Sequence, residues 1–468
     1  MGERLRGIDA AFLAIETPSN HLHMAMLALL DPSTAPGGWS FGALRALVTS
    51  RLHLAPLFRR RIVEVPYGLH HPVWYDDPDF VLDNHLRRLA VAPPGGEAEL
   101  LDAVGAALAV PLDRSRPRWE LHVAEGLADG RAAVLAKSHH AANDGMSGTE
   151  VLLRLLDLQA AGSTTTSPPD TWCPSPLPDD AELVSEALAA LAARPAEAAA
   201  AARSAVDLVS RLWRHRRGTS GALPPKPFSA PRTALNVGLT GPERQVAVAS
   251  LSLDDVREVK AHFGVTVNDV VLAVCSGALR SWFATRGEES GGDLVALVPA
   301  SVRTEADAAS PGNRVSPMLV SLASATEDPV ERLRSIATSA RAAKAQQREV
   351  GSAALADWAE VAPPALVAGV AQVASALHLA DVLPPVFNVS VSNLAGPPMP
   401  LYLAGARVVA AHPLGPVADG GALNITVLSY DATLWFGLVA DRGSVEGLPS
   451  LAAGLTDSFE ELRKAALR

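Results

Sequence analysis

Cysteine is nearly missing from this chain, with Cys173 and Cys275 the two examples in 468 residues. No disulfide framework can be built from them, which suits a reducing compartment. Cys275 lies in the apolar run 270–275, where a thiol is expected to pack and not to act as a nucleophile. An excess of positive charge is missing too. The 40 Lys and Arg against 50 Asp and Glu leave a net charge of −10, which excludes a generic nucleic-acid binder but allows a local basic patch. No apolar run reaches the roughly 20 residues of a spanning helix. The nearest, 365–380, is broken by Gln372, Ser375 and His378 and is expected as a buried or surface-seated helix. Residues 1–6 are not followed by a long apolar core, so no secretory signal is expected, and Arg6 stands where a myristoylation signal wants Ser or Thr. There is no Gly-x-Ser-x-Gly elbow, and so no pointer to a serine acyl-enzyme.

What is present is ample core material, 48% hydrophobic against 19% charged, in a chain long enough to predict two domains. Composition breaks divide it into residues 1–160, a joining region 161–232 and residues 233–468. Within the join, 162–178 and 218–231 are rich in Pro and Ser, and an alanine-rich helical stretch, 181–213, ends on Trp213-Arg214-His215-Arg216-Arg217. A crossover helix with a solvated basic end is the preferred reading, and contact with a lipid surface is the other. Apolar spacing predicts helices over 41–52, 97–108, 254–262 and 448–466, with another opening at Thr266. Strand patterns fall at 21–30, 86–91, 121–127, 132–136, 247–251, 295–303, 318–322, 387–394, 424–431 and 434–438. The Arg59-Arg60-Arg61 run is expected on a solvated face.

The densest chemistry lies in Lys137-Ser138-His139-His140-Ala141-Ala142-Asn143-Asp144-Gly145. Upstream, Asp129-Gly130 between two apolar runs predicts a hairpin. Downstream, Ser147-Gly148-Thr149-Glu150 fits a capping box for a helix continuing through Leu156. Extended backbone sends successive side chains to opposite faces, so one of the two histidines faces a given cleft, where an imidazole can take a proton near neutral pH. Asp144 is a partner for that ring or an anchor for the turn, and Gly145 permits a close approach or an unusual backbone angle. Histidines on opposite faces do not converge on one ion, so no metal is expected. Two histidines alone would be read as satisfied turn residues. With Asp-Gly at this offset the catalytic reading is preferred.

His-His-x-x-x-Asp-Gly resembles the active-site signature of the CoA-dependent acyltransferase superfamily, which includes chloramphenicol acetyltransferase and peptide-synthetase condensation domains. The chain is more closely similar to the bacterial wax ester synthase / acyl-CoA:diacylglycerol acyltransferase family. Residues 111–120 resemble a family segment that usually has Leu where Arg118 stands, Thr266-Val267-Asn268-Asp269 resembles its Thr-x-Asn-Asp pattern, and 392–397 resembles its Ser-Asn…Gly-Pro block, with Ala395 where Pro is usual. These blocks keep their order along nearly the whole chain.

The resemblance implies an α/β fold, an α+β sandwich of two chloramphenicol-acetyltransferase-like halves with an active-site channel between them. It implies His140 as general base, His139 turned away to hold the strand end, and Asp144 paired with Arg303. Asn268, Asp269, Ser392 and Asn393 would shape the site, with Asn268 or Ser392-Asn393 as oxyanion donors. Asn268 and Asp269 also have a plainer reading, as caps of the helix that follows. The implied reaction moves a long acyl chain from acyl-CoA, a co-substrate with no bound cofactor, to diacylglycerol or a long-chain alcohol. The expected location is cytoplasmic, with peripheral contact with the inner membrane or lipid inclusions. The alternatives are esterification of a polyketide or glycolipid hydroxyl, a non-catalytic lipid-binding relative, and a metal hydrolase.

Overall fold

The run His23–Asp31 forms a strand because it is apolar on both faces. Side chains alternate along an extended chain, so Ala25, Leu27 and Leu29 enter one core while Met26, Ala28 and Leu30 enter another. Ala132–His139 pairs with it antiparallel, from Leu30 opposite Ala132 to His23 opposite His139, and repeats the division with Ala133 and Leu135 on one side and Val134 and Ala136 on the other. These strands sit at the middle of a seven-stranded sheet. Its order is Leu86–Arg88, Trp119–Ala124, Ala132–His139, His23–Asp31, Ala406–Leu414, Tyr402–Leu403, Leu156–Asp157. The computed structural model from which this is read describes residues 2–143, 154–160, 172–192, 203, 223–288, 291–301, 315–350 and 364–467.

A six-stranded sheet follows in the second half, in the order Val315–Ser321, Val295–Ser301, Val389–Ala395, Leu423–Tyr430, Thr433–Asp441, Arg244–Ser252. The two sheets share a core, since the cluster holding Leu27 and Leu135 continues into Val246, Leu434 and Leu438. They are also tied through the backbone. Ala406–Leu414, late in the chain, lies beside His23–Asp31 with Arg407 opposite Asp31 and Leu414 opposite Ala25.

The helix Val267–Thr285 begins with a capping box. Thr266 Oγ1 accepts from the Asp269 amide at 3.2 Å, and Asp269 Oδ2 accepts from the Thr266 amide at 2.9 Å. Thr266 is therefore the cap, with Asp269 three residues inside. From Val270 to Leu279 every residue is buried. Gly277 lets the Leu448–Ala466 helix approach, because a Cβ there would collide with Ser458 Oγ. Cys275 lies in this stretch, and burial pushes its thiol up to about 12, so it stays protonated.

Several local expectations are corrected. Arg59 does not lie on a solvated face: it is buried, with its guanidinium 4.9 Å from the Trp172 ring, while Arg60 pairs with Glu3 and Asp76. Leu156 does not end a helix but opens the strand Leu156–Asp157, which pairs with Tyr402–Leu403. That partner lies far away in the chain and leaves no local periodicity. The strand expected over 86–91 stops at Arg88. The capping box at Ser147–Glu150 lies outside the described residues. So does most of the helical stretch 181–213, of which Asp180–Ala192 is helical.

Candidate active site

The hairpin of Trp119–Ala124 and Ala132–His139 delivers the two histidines. Its turn works because Gly130 takes a φ of +79° and Asp129 Oδ1 accepts from the Arg131 amide at 3.0 Å. His139 is the last extended residue, and His140 opens a tight 3-10 turn that runs to Asn143. The backbone thus changes conformation between the two rings. Both amides are anchored: that of His139 donates to the Arg118 carbonyl at 3.1 Å and that of His140 to the Leu22 carbonyl at 3.0 Å.

His139 is completely buried. Its Nδ1 accepts from the Ala141 amide at 3.0 Å, so in the neutral ring the proton sits on Nε2. Nε2 lies 3.6 Å from Glu16 Oε2, beyond hydrogen-bond length, and has no hydrogen bond among the described residues. Burial first, then the charges of Arg118, His140 and Arg114, hold its pKa far below the ordinary imidazole value.

His140 lies against the Phe12 ring, with centroids 3.8 Å apart and a tilt of 33°. Phe12 comes from the helix Gly7–Ala14, which packs across the turn. Burial pushes His140 down to about 4, opposed by a hydrogen bond with its own main chain. That contact is poorly formed, since among the described residues Nδ1 is sealed from solvent without a hydrogen bond of good geometry. The residue itself is half-buried, and Nδ1 is the ring nitrogen sealed from solvent.

A cluster of charge surrounds the strand end. Arg114 Nη2 donates to Glu16 Oε2 at 2.8 Å, and Arg114 Nη1 to Glu64 Oε1 at 3.5 Å. Arg118 takes the position where the resembled family usually has Leu. Its side chain is 1% exposed, with Nη1 3.9 Å from Glu16 and Nη2 3.9 Å from Glu64. Burial raises the pKa of Glu16 above the ordinary carboxylate value, while Arg114 and Arg118 pull it back. Nearby, the Lys137 ammonium is buried against the carbonyls of Ala107 and Val110, and burial lowers it to about 8 against the pull of Glu120. A small cavity between the halves adjoins the turn through Leu22, with Asn20, His21 and His23 on one side and Arg244, Pro416 and Val439 on the other.

Of the residues proposed from sequence, His139 and His140 stand at the strand end, the first buried and the second half-buried. Asp144, Gly145 and Arg303 lie outside the described residues. Asn268 is half-buried in the first turn of its helix, and the Asp269 carboxylate is engaged in the cap. Ser392 and Asn393 lie mid-strand, opposite Thr426 and Val427. Among the described residues, none of these four side chains hydrogen-bonds to either histidine. Glu16 and Phe12 escaped sequence reasoning, because no local pattern links residues 12 and 16 to a motif more than 120 positions away.

The sequence profile of the wax ester synthase/diacylglycerol acyltransferase catalytic domain matches residues 5–271, and that of the corresponding C-terminal domain matches residues 311–463. A Mycobacterium tuberculosis protein named as a diacylglycerol O-acyltransferase is 37% identical, covering 98% of this chain and 90% of its own. The wax ester synthase/diacylglycerol acyltransferase of Marinobacter aquaeolei VT8 superposes with a TM-score of 0.69 at 28% identity, over 99% of this chain and 100% of that one. The first condensation domain of the calcium-dependent antibiotic synthetase shares the fold, with a TM-score of 0.57 at 15% identity over 100% and 97% of the two chains.

Proposed function

This chain belongs to the wax ester synthase/diacylglycerol acyltransferase family, and from that premise we propose that it moves a long acyl group from acyl-CoA to the free hydroxyl of diacylglycerol, and secondarily to long-chain alcohols. The observation that carries the chemistry is His140, an uncharged imidazole in a half-buried residue at a strand end, whose Nδ1 is sealed, so that Nε2 is the nitrogen we assign to the substrate. Nε2 takes the hydroxyl proton as the acceptor oxygen attacks the thioester carbonyl. The carbonyl electron pair moves onto its oxygen, then returns as the C–S bond breaks. The imidazolium proton passes to the departing CoA sulfur, leaving an ester and free thiol.

A ring pushed down to about 4 is unprotonated at neutral pH and always ready to accept. Its basicity is low in return, so proton transfer accompanies attack and does not precede it. Asn268, or Ser392 with Asn393, would donate to the oxyanion, each donor contributing about 2.7–4 kcal/mol to the transition state. Asp144 paired with Arg303 would anchor the turn, with Gly145 giving the backbone its room.

The acceptors are insoluble in water, which puts the enzyme at a cytoplasmic lipid surface, the inner membrane or a lipid inclusion. What supports this is the helix Pro364–Ala376, which has no buried residue and packs on Gly7–Ala14, the helix that carries Phe12. Leu366, Val370, Val373 and Leu377 recur at helical spacing and are each more than half exposed. An apolar stripe of this kind suits a helix lying in the interface plane.

The deciding assay is CoA release from palmitoyl-CoA with dioleoylglycerol or hexadecanol as acceptor. His140→Ala is expected to lower turnover by about 10²–10⁴-fold, the usual contribution of a positioned general base. Full turnover in that variant would remove His140 from the chemistry.

A further inference from the structure

Among the described residues the buried charge cluster beside the strand end makes no hydrogen bond or ion pair with the His140 side chain, yet it is joined to it by a short covalent and hydrogen-bonded path. We propose that Glu16 is a positioning residue for the acyl transfer, acting through the tautomer of His139; the inference rests on His140 as the base. Because Nδ1 of His139 accepts from the Ala141 amide, that amide bond exists only while Nδ1 carries no proton. Nε2 must then hold the proton, and the group facing it is the Glu16 carboxylate, 3.6 Å away. An ionised Glu16 favours a proton on Nε2 and would repel the lone pair that the other tautomer places there. The Ala141 amide belongs to the 3-10 turn His140–Asn143, so its bond to His139 fixes the turn that carries His140.

Two cations hold the Glu16 carboxyl in place and oppose the burial that raises its pKa. Arg114 donates to the same oxygen, Oε2, at 2.8 Å, and Arg118 stands 3.9 Å away. Arg118 also accepts the His139 amide on its carbonyl, so one residue bears on both the charge and the backbone of the strand end. Among the described residues, the titratable and charged groups that bear on His139 are Glu16, Arg114, Arg118, His140 and His21, of which Glu16 is the acidic one. The 3.6 Å gap is longer than a hydrogen bond. Closing it by a few tenths of an ångström when substrate settles would complete the path from Glu16 to the catalytic turn, since catalytic hydrogen bonds commonly tighten in the substrate complex.

The test uses the full chain with ¹⁵N-labelled histidine, alongside CoA release. In the wild-type protein, the His139 resonances, assigned by their loss in His139→Gln, should report a proton on Nε2 alone. Glu16→Met removes the acceptor at similar length. It should mix the two tautomers and lower kcat by about 10–100-fold, the scale on which small misplacements act, with KM for palmitoyl-CoA within about twofold of wild type. Glu16→Gln keeps an acceptor oxygen and should recover kcat to within about threefold of wild type. A wild-type His139 protonated on Nδ1 would overturn the proposal. So would a Glu16→Met protein of unchanged kcat, or Met and Gln variants that fail equally, which would mark Glu16 as a packing residue. The tautomer is read without substrate, so failure here stays distinct from failure of the His140 reading, which His140→Ala decides alone.

Discussion

Phe12 gives the most direct handle on the proposed base. Its ring covers His140 at 3.8 Å between centroids and is itself only half-buried, so its removal opens the imidazole to water without hollowing the core. Burial is the leading cause of the fall of His140 from 6.5 to about 4, a difference that disfavours the imidazolium by about 3 kcal/mol. In wild-type protein the acid limb of kcat/KM should therefore fall near pH 4. Above that pH the ring is neutral and competent, and below it the ring is protonated and activity is lost. Phe12→Ala readmits solvent and should move this limb upward by one unit or more toward 6.5. At pH 5 the variant should therefore lose about half or more of its plateau activity while the wild type keeps most of its own. The measurement is CoA release across about pH 4–8 for both proteins, compared as a ratio so that ionisation of the substrate cancels. An acid limb that stays put in Phe12→Ala, or one already at 6.5 in wild type, would refute the claim that desolvation by Phe12 sets the pKa of the base.

Two further outcomes follow from buried charge and exposed apolar surface. The folded state depresses the pKa of His140, and also of His139 and His23. Unfolded chains then bind more protons below about pH 6.5, so stability should be complete above that value and fall as pH drops toward 4, with His140 alone costing about 3 kcal/mol there; a melting temperature that is flat between pH 7 and 4.5 would contradict this. Val370→Asp together with Val373→Asp should abolish co-flotation with phosphatidylglycerol/phosphatidylcholine vesicles carrying dioleoylglycerol, while CoA release with a short, soluble alcohol remains within about twofold. Unchanged flotation would remove the Pro364–Ala376 helix as the lipid-facing surface.

Sequence alone determined the features that depend on near neighbours. Apolar runs placed strands at 21–30 and 132–136, where His23–Asp31 and Ala132–His139 form, Asp129-Gly130 marked the hairpin that joins Ala132–His139 to Trp119–Ala124, and a long helix was expected to open at Thr266. The paired histidines were legible as a candidate site because Asp-Gly follows them at a short, fixed offset. Tertiary structure decided what stands around them. It brought Ala406–Leu414 beside His23–Asp31, turned Leu156–Asp157 into a strand, buried Arg59 against Trp172, and set Phe12 and Glu16 against histidines more than 120 residues later. Local periodicity records which face of an element is apolar, but not which distant segment will cover it. The pKa of His140 and the tautomer of His139 follow from that covering, since burial and the sign of the nearest buried charge exist only once the segments have met.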